Sequence, residues 1–485
     1  MEQLTANANP TQSKGTTIAA LIRQLKGKVP QPILRQVRKR WAGRSFDLGT
    51  FCSGTDVCVD VNRQVLESFD VKVRHVFSCD KATHVQEYIR RRCRPTEASF
   101  RLFDDITDIP SLKAFDVLSN RATSVPPSHF VYIGFSCKDV SHLNVHAGAS
   151  RGCVKSGTLR TGHTLRCSIE YVRVYRPYLV GLENVAALDD CDAAGNSNAD
   201  DLVEAFEELG YIVVRAVVNS RSHGALQRRT RWWGIAWLVS STGPIQESQR
   251  QKYAASEAVF FAVLSCIELD PRPMSSVMLT GKKLDAWKTF RLGLRSTLAP
   301  AQADDEDSED ELEKKKKQEL RDWPQLHAEF FRSAGHRYPP VLEFLYTPAE
   351  SKVLSTEFTR RCQEIVAFSD LDRGRVREGE PEQVIDVSQS INRTPRMTDG
   401  LPCITPTGLF WMRKAFRRLE PIECLAAQGV PLCDVEDMSF LSPGDIQSLA
   451  GNAFNAHSVA AFTLSAMVAF GPPGVDGACD IDFSR

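Results

Sequence analysis

The stretch Phe46-Asp-Leu-Gly-Thr-Phe-Cys-Ser-Gly-Thr-Asp56 decides how the first part of the chain folds. Its first half has the character of a strand, and Cys52-Ser-Gly-Thr-Asp56 interrupts it before a helical pattern that runs from Val57 to Phe69. A strand, a tight turn and a helix in this order present backbone N–H groups to a bound cofactor. With a single glycine in the turn, this stretch alone does not identify the cofactor.

Strands and helices continue to alternate from this stretch to about residue 239. Runs of apolar, β-prone residues predict strands, and apolar residues at helical spacing predict the helices between them. Such alternation predicts an α/β fold, with a Rossmann-like, mostly parallel sheet and helices on both faces. The further predicted strands are residues 73–79, 100–103, 130–133, 178–182, 211–218 and 232–239.

Reactive and charged side chains follow several of these strands, at the points where the strands end. Cys137 comes shortly after Gly134, which ends one apolar run, and Glu183-Asn184 ends another. A compact basic loop, Gln227-Arg-Arg-Thr-Arg231, lies between the last two strands. Ligands gather at the carboxyl ends of strands in such sheets, so these groups together indicate an active site. Each has a structural alternative when taken singly: a buried cysteine, a surface strand end or a solvated loop.

The composition limits the classes of protein to consider. The chain has 485 residues, and its 60 basic and 60 acidic residues balance, so any basic surface must be local. Fourteen cysteines are scattered without a CxxC pair, and His142 and His146 lack further ligands nearby, so we predict no metal site. The polar N-terminus and the lack of a long apolar run predict a soluble, intracellular protein with reduced thiols.

The segments outside the alternating region differ in character. Residues 1–43 form a basic extension, and two interpretations stay open: a solvated arm with a short helix, or a phosphate-contacting arm or nuclear targeting signal. Residues 240–396 read as irregular, and their oppositely charged runs at 302–322 are typical of a disordered or solvated linker. Order returns over residues 397–472, and residues 473–485 form a tail.

These motifs resemble the ordered sequence blocks of the cytosine carbon-5 methyltransferase family. The shared order of the blocks, rather than any one of them, carries the resemblance, which covers more than half of the chain. The matching segments are Cys52-Ser-Gly-Thr-Asp56, Asp80, Asp105-Ile106, Gly134-Phe-Ser-Cys137, Leu182-Glu-Asn-Val185, Gln227-Arg-Arg-Thr-Arg231, Pro421-Ile-Glu-Cys-Leu-Ala-Ala-Gln-Gly429 and Gly451-Asn-Ala-Phe454.

The resemblance implies a covalent mechanism at Cys137. Carbon-5 of cytosine is a poor nucleophile, and a thiolate that adds at carbon-6 pushes electron density toward carbon-5, which can then take a methyl group. Glu183, held protonated near ring nitrogen 3, would stabilise the charge that develops there. Asn184 would orient the loop that carries the thiol.

The basic loop would bind the substrate. Arg229 and Arg231 would contact the cytosine carbonyl oxygen and a nearby phosphate, and would favour the thiolate. Ser136 and Gln227 complete the predicted substrate-binding residues. Such a site cannot reach a stacked base, so the target cytosine must be flipped out of the duplex.

The same resemblance implies S-adenosylmethionine as the methyl donor. Asp80 would lie on the ribose, Asp105 would lie on the adenine, and Asn452 would close the donor pocket from the C-terminal segment. The complete set of predicted donor-binding residues is Cys52, Ser53, Gly54, Thr55, Asp80, Asp105, Ile106 and Asn452.

The resemblance also assigns the domains. Residues 44–239 and 397–472 would form the catalytic domain, and residues 240–396 would form a target-recognition domain that faces the major groove. Lys282, Lys283 and the segment Arg291 to Arg295 are candidate contacts to DNA. The predicted partner is double-stranded DNA, and the predicted location is the nucleus.

Two residues depart from the family pattern. Ser136 replaces a proline before Cys137, and Asp56 replaces a glycine of the first motif. The leading hypothesis is a DNA (cytosine-5-)-methyltransferase of a divergent, eukaryotic type. The alternatives are a tRNA cytosine methyltransferase on the same fold, against which the long insertion argues, and a non-catalytic relative that binds nucleic acid or partners.

Overall fold

A nine-stranded sheet lies at the centre of the computed structural model. The structure describes residues 18–92, 99–141, 152–192, 194–240, 243–295 and 322–471. The strands of the sheet are β1 (Ser45–Phe51), β2 (Lys72–Cys79), β3 (Arg101–Phe103), β4 (Lys113–Asp116), β5 (Arg121–Ser124), β6 (Phe130–Ile133), β7 (Leu179–Val185), β8 (Tyr211–Asn219) and β9 (Thr230–Leu238).

The strand order confirms the predicted mostly parallel α/β sheet. The order is β5-β4-β3-β2-β1-β6-β7-β9-β8. Strands β3, β2, β1, β6 and β7 are parallel, whereas β9 is antiparallel to both β7 and β8, and β4 and β5 extend the other edge as an antiparallel pair. All four residues of β6 are buried, as expected for a strand covered on both faces. The carboxyl ends of the parallel strands therefore meet at one edge of the sheet.

Two apolar cores cover the two faces of this sheet, and alternate residues of β6 divide between them. Phe130 and Tyr132 belong to one core, and Val131 and Ile133 belong to the other. The helices between the strands are α3 (Val57–Glu67), α4 (Thr83–Arg92), α5 (Cys153–Ser156), α6 (Leu159–Tyr175) and α7 (Asn198–Glu208).

The described part of the N-terminal extension, from residue 18 onward, is packed, which contradicts a solvated arm for these residues. It forms α1 (Ile18–Lys28) and α2 (Gln31–Trp41), whose apolar faces join the core beside α3. The Trp41 indole N–H donates to the carbonyl of Met467 at 3.0 Å. Because α2 leads directly into the amino end of β1, this helix pair lies at the sheet edge opposite the carboxyl ends. The phosphate-contacting arm or nuclear targeting signal stays a prediction.

Residues 240–396 are largely helical where the structure describes them, so the prediction of irregular structure was wrong. The longest of these helices is α8, in which Val259, Phe260, Val263 and Leu264 form a buried stripe at helical spacing. Residues 302–321 of the predicted linker and the tail at 473–485 lie outside the described residues. The helices are α8 (Glu247–Cys266), α9 (Gly281–Arg295), α10 (Trp323–Ser333), α11 (Leu342–Leu345), α12 (Pro348–Glu357) and α13 (Arg360–Arg373).

A small antiparallel sheet connects this helical region to the C-terminal part of the chain. Its strands are β10 (Gln383–Asp386), β11 (Arg396–Thr398), β12 (Phe410–Met412) and β13 (Arg417–Arg418), in the order β11-β10-β12-β13. Trp411 of β12 is fully buried in a third core, with side chains from α10 to α13. The remaining helices are α14 (Pro421–Ala427), α15 (Val435–Met438), α16 (Pro443–Asn452) and α17 (Ala456–Ala469).

A buried ion-pair network joins α9 to the start of α14, and it corrects one predicted DNA contact. The guanidinium of Arg291 is 3% exposed and lies 2.8 Å from carboxylates of both Glu357 and Glu420. Arg291 is therefore unable to reach a phosphate. Lys283, on the same helix, is exposed and pairs with Asp434 at 2.8 Å.

None of the helices in the described part of the chain has the length and apolar character needed to span a membrane.

Candidate active site at the carboxyl edge of the sheet

The parallel strands bring the predicted site segments to one edge. Phe51 of β1 lies beside Cys79 of β2 and Ile133 of β6, and Ile133 in turn lies beside Leu182 of β7. Because these strand ends are adjacent, the segments that follow them lie side by side along the edge. In strand order they are Asp80, the 52–56 turn, the Cys137 loop and Glu183. The geometry thus gathers residues that are far apart in the sequence.

Glu183 contacts both arginines of the basic loop. Strand β9 runs antiparallel to β7, so its first residues lie beside the end of β7, and Arg231 pairs with Val185. Glu183 Oε1 lies 3.3 Å from Arg231 Nε and 3.6 Å from Arg229 Nη2. Since the Arg229 and Glu183 side chains are only 6% and 12% exposed, these ion pairs are weakly screened.

The Cys137 thiol lies within the electrostatic reach of this cluster. Burial raises the pKa of the thiol above its ordinary value, and the Glu183 carboxylate raises it further, whereas Arg231 and Arg229 lower it. The net shift is upward, so the free protein holds a protonated thiol. The arginines reduce the cost of forming the thiolate in a partly buried site.

Hydrogen bonds from two elements hold the loop that carries Cys137. The Asn184 side-chain amide donates to the carbonyl of Phe135 at 3.0 Å, and Asn184 itself is buried. The backbone N–H of Ser136 donates to Thr164 Oγ1 at 3.1 Å. A proline at this position would restrict the backbone through its ring but would have no N–H to donate. In this chain the hydrogen bond from Ser136 to Thr164 holds the loop instead.

The sequence singled out Ser136 but did not suggest Thr164 as its partner. Thr164 belongs to α6, which starts just below the Cys137 loop, and its hydroxyl also donates to the carbonyl of Arg160. The serine at position 136 was the one indication of this hydrogen bond. Unlike the proline of the family pattern, Ser136 has a backbone N–H, and a backbone donor near a buried loop needs an acceptor.

Gln227 has no surface with which to contact a substrate, contrary to the prediction. It is fully buried, its side-chain nitrogen donates to Gln428, and its oxygen accepts the N–H of Ile404 at 3.2 Å. These hydrogen bonds attach the basic loop to the segment before β12 and to the end of α14. Gln227 therefore positions the loop without contacting the substrate.

The turn after β1 contacts the backbone at the end of β2, the side chain of Asp80 and the backbone of Asn452 in α16. Ser53 Oγ donates to the carbonyl of Cys79 and accepts the Cys79 N–H at 3.0 Å. The N–H of Gly54 donates to Asp80 Oδ2 at 3.0 Å. Gly54 has φ +55°, and a Cβ there would lie 3.0 Å from the carbonyl oxygen of Asn452, so both conformation and space favour glycine.

The other predicted donor-binding residues lie beside this turn. Cys52 starts it with φ +51°, and the buried hydroxyl of Thr55 has no hydrogen-bond partner. Burial raises the pKa of Asp80. Asp105 accepts the N–H of Thr107 at 2.9 Å as the cap of the short helix Ile106–Ser111, and its other oxygen lies 3.3 Å from Lys81 Nζ.

Asp56, which replaces a glycine of the family pattern, points into the interior beneath the turn. Its φ is +51°, which explains the family preference for glycine, and its side chain is 3% exposed. Thr50 Oγ1 donates to one carboxylate oxygen at 2.8 Å, and Ser78 Oγ lies 2.5 Å from the other. The carboxyl group therefore links the ends of β1 and β2 below the candidate donor site.

Asp56→Asn is expected to remove a pH-dependent part of the stability. Burial is the main cause that raises the pKa of Asp56 from 3.8 to about 7, against the lowering effect of the bonds from Ser78 and Thr50. A carboxyl group whose pKa is higher when folded stabilises the fold fully below about pH 4, and this contribution is lost as the pH rises through about pH 7. At about 1.4 kcal/mol per pKa unit, the loss amounts to a few kcal/mol.

Urea unfolding between about pH 5 and about pH 8 measures this effect. Wild-type stability should fall across the range relative to Asp56→Asn, whose amide keeps the size of the side chain. Asp47→Asn, which removes a carboxylate paired with Arg74 at the other end of β1, is the matched control. Parallel curves for the wild type and Asp56→Asn would contradict the assignment.

Among the residues that the structure describes, no group of three or more His, Cys, Asp and Glu side chains is arranged to hold a metal ion. His142 and His146 lie outside the described residues.

Comparisons with known proteins show the family. A family model described as C-5 cytosine-specific DNA methylase matches residues 103–456. A DNA (cytosine-5-)-methyltransferase of Cryptococcus neoformans var. grubii, DMT5, is 22% identical over 472 residues, which is 93% of this chain and 18% of that protein. The type II methyltransferase M.MspI of Moraxella sp is 24% identical over 139 residues, or 29% of this chain and 31% of that protein. The chain thus spans less than a third of either relative.

Among solved structures, the crystal structure of the S. pombe Dnmt2 methyltransferase is similar with a TM-score of 0.43 and 10% identity. The alignment covers 87% of this chain and 98% of that one.

Proposed function

This chain belongs to the C-5 cytosine-specific DNA methylase family, and from that premise we propose that it methylates carbon-5 of cytosine in double-stranded DNA. The family depends on S-adenosylmethionine. The observation that supports the proposal best is the convergence of Cys137 with Glu183, Arg229 and Arg231 at one edge of the sheet. A nucleophile, an acidic group and two cations in one half-buried site are what this reaction requires.

The turn after β1 fits the donor. Gly54 lets the turn approach the Asn452 carbonyl closely, which brings Asn452 to the candidate donor site, and the buried hydroxyl of Thr55 lacks a hydrogen-bond partner. Asp80 and Asp105 would hold the ribose and the adenine, because their carboxylates lie at the ends of β2 and β3. The bound donor supplies an electrophilic methyl group on a sulfonium.

Cys137 starts the reaction on the cytosine ring. Its thiol would lose a proton to water, and the thiolate sulfur would form a bond to carbon-6, which moves the carbon-5–carbon-6 electron pair toward carbon-5. Glu183, which forms ion pairs with the two arginines in the free protein, would take up a proton from water when the base binds and place it at ring nitrogen 3, where negative charge would otherwise develop. After carbon-5 has gained the methyl group, it would lose its proton to water, and the electron pair of that carbon–hydrogen bond would restore the ring double bond as the sulfur–carbon-6 electron pair leaves with the Cys137 thiolate. The proton at ring nitrogen 3 would return to Glu183.

The two arginines would take different parts. Arg229 is buried, and its guanidinium donates to the carbonyl of Gly451 at 3.1 Å and of Ile404 at 3.4 Å, so it holds Glu183 in place. Arg231 is 17% exposed and is therefore the one that would contact the cytosine carbonyl oxygen. The cluster is largely buried at the carboxyl edge of the sheet, and a base stacked in a duplex would not reach it. The target cytosine would therefore have to be flipped out of the duplex. We also propose a nuclear location, because the proposed substrate is DNA.

Transfer of labelled methyl groups to duplex DNA and to tRNA, measured side by side, tests this proposal. Label is expected in DNA. Label in tRNA alone would replace the proposed substrate with the alternative on the same fold. Label in neither, with binding of S-adenosylmethionine intact, would mean that the chain has kept the fold and lost the reaction.

A further inference from the structure

The segment from Leu401 to Ile404 lies directly against the basic loop. The N–H of Arg228 donates to the carbonyl of Leu401 at 2.8 Å, and the N–H of Leu401 donates to the carbonyl of Leu226 at 3.2 Å. The N–H of Ile404 donates to the buried side chain of Gln227. The backbone on both sides of Cys403 is therefore fixed to the loop that carries the two arginines.

This segment contacts both arginines. Cys403 Sγ lies 3.6 Å from Arg231 Nη2, within hydrogen-bond distance for sulfur, and the carbonyl of Ile404 accepts from Arg229 Nη1 at 3.4 Å. Cys403 is partly exposed. The segment follows β11 and precedes β12, which makes it the connection between the small sheet and the active-site arginines.

Each nitrogen of the Arg231 guanidinium has a different partner. Nε lies 3.3 Å from Glu183, Nη1 donates to the carbonyl of Thr230 at 2.8 Å, and Nη2 contacts the thiol of Cys403. A planar guanidinium with three fixed nitrogens cannot rotate. Cys403 is the partner of Nη2, whereas Thr230 is the partner of Nη1. Loss of the Cys403 thiol would therefore allow the Arg231 guanidinium to rotate.

We propose that Cys403 is a positioning residue that holds the Arg231 guanidinium against Glu183 and beside the Cys137 thiol. The proposal rests on the proposed function for its kinetic consequence. Its consequence for the reactivity of Cys137 is independent of any methyl transfer. Cys403 belongs to none of the sequence blocks that suggested the other site residues, and only the folded structure brings it to Arg231.

The physical link to Cys137 is electrostatic. Burial raises the pKa of the Cys137 thiol, and Arg231 is the largest of the effects that lower it. If Arg231 turns away, the thiolate loses this support and the thiol reacts more slowly with an electrophile at neutral pH.

Alkylation of Cys137 by iodoacetamide, followed by peptide mass spectrometry across a range of pH, tests the proposal in the full chain. Cys403→Ala is expected to slow alkylation at neutral pH by about threefold, the change produced by half a pKa unit. Cys403→Ser keeps an acceptor and should recover part of the rate. Cys433→Ala removes another partly exposed thiol, at a position remote from the arginines, and should leave the rate unchanged.

Methyl transfer gives the second measurement. Cys403→Ala should lower kcat by about tenfold with little change in the KM for the donor, as expected when a group that acts in the transition state is misplaced. Alkylation of Cys137 in Cys403→Ala at the wild-type rate and with the wild-type pH dependence would overturn the proposal, whatever the effect on kcat. If the wild type transfers no methyl group, the proposed function fails, and the alkylation result still decides the role of Cys403.

Discussion

Cys137→Ala is expected to abolish methyl transfer, with a loss of at least about 10⁴-fold in kcat. Alanine has no atom that can bond to carbon-6 of the ring, so carbon-5 stays a poor nucleophile however well the donor and the base are bound. The remaining groups, Glu183 and the two arginines, stabilise charge that this first addition creates. Without the addition they have nothing to stabilise, and the loss should therefore be almost complete.

Transfer of a labelled methyl group to duplex DNA measures this effect. Binding of S-adenosylmethionine should be retained, because the turn after β1 makes no hydrogen bond to Cys137 in the structure. Cys191→Ala, which removes an exposed thiol outside the site, is the control for general effects of cysteine replacement. Substantial transfer by Cys137→Ala would exclude the covalent mechanism.

The sheet and the edge that carries the site could be predicted from sequence for a physical reason. Parallel strands buried on both faces produce apolar runs such as Phe130 to Ile133, and in a sheet of this type their carboxyl ends meet at one edge. Polar residues such as Asp80 and Glu183 directly after such runs must therefore lie at the same edge of the sheet. Local pattern and topology together locate these residues without any knowledge of distances.

Contacts made across the fold could not be predicted in this way. The basic helices α1 and α2 look like a solvated arm, because the stripe of Leu21, Leu25 and Val37 is interspersed with lysines and arginines. The sequence near Gln227 predicts a surface residue, but in the structure its side chain is hydrogen-bonded to Gln428 and Ile404. In each case the decisive partner comes from a distant part of the chain, and the sequence nearby carries no sign of it.

Arg291→Ala is expected to destabilise the fold by about 3–5 kcal/mol. Arg291 donates from Nε to Glu420 at 2.8 Å and from Nη2 to Glu357 at 2.9 Å, and Glu420 is fully buried. Its removal leaves two buried carboxylates without their cation, and their desolvation is then no longer offset. Urea unfolding at neutral pH measures the change in the free energy of unfolding.

A matched pair of variants separates the buried network from charge effects in general. Lys283→Ala, on the same helix, breaks an exposed ion pair with Asp434 and should cost no more than about 1 kcal/mol. Combining Arg291→Met with Glu357→Gln and Glu420→Gln should recover much of the stability lost in Arg291→Ala, because no unpaired buried charge then remains. Equal losses in Arg291→Ala and Lys283→Ala would place Arg291 at the surface, where it could contact DNA after all. A large loss confined to Arg291→Ala would instead show that α9 is attached to the catalytic core by this network.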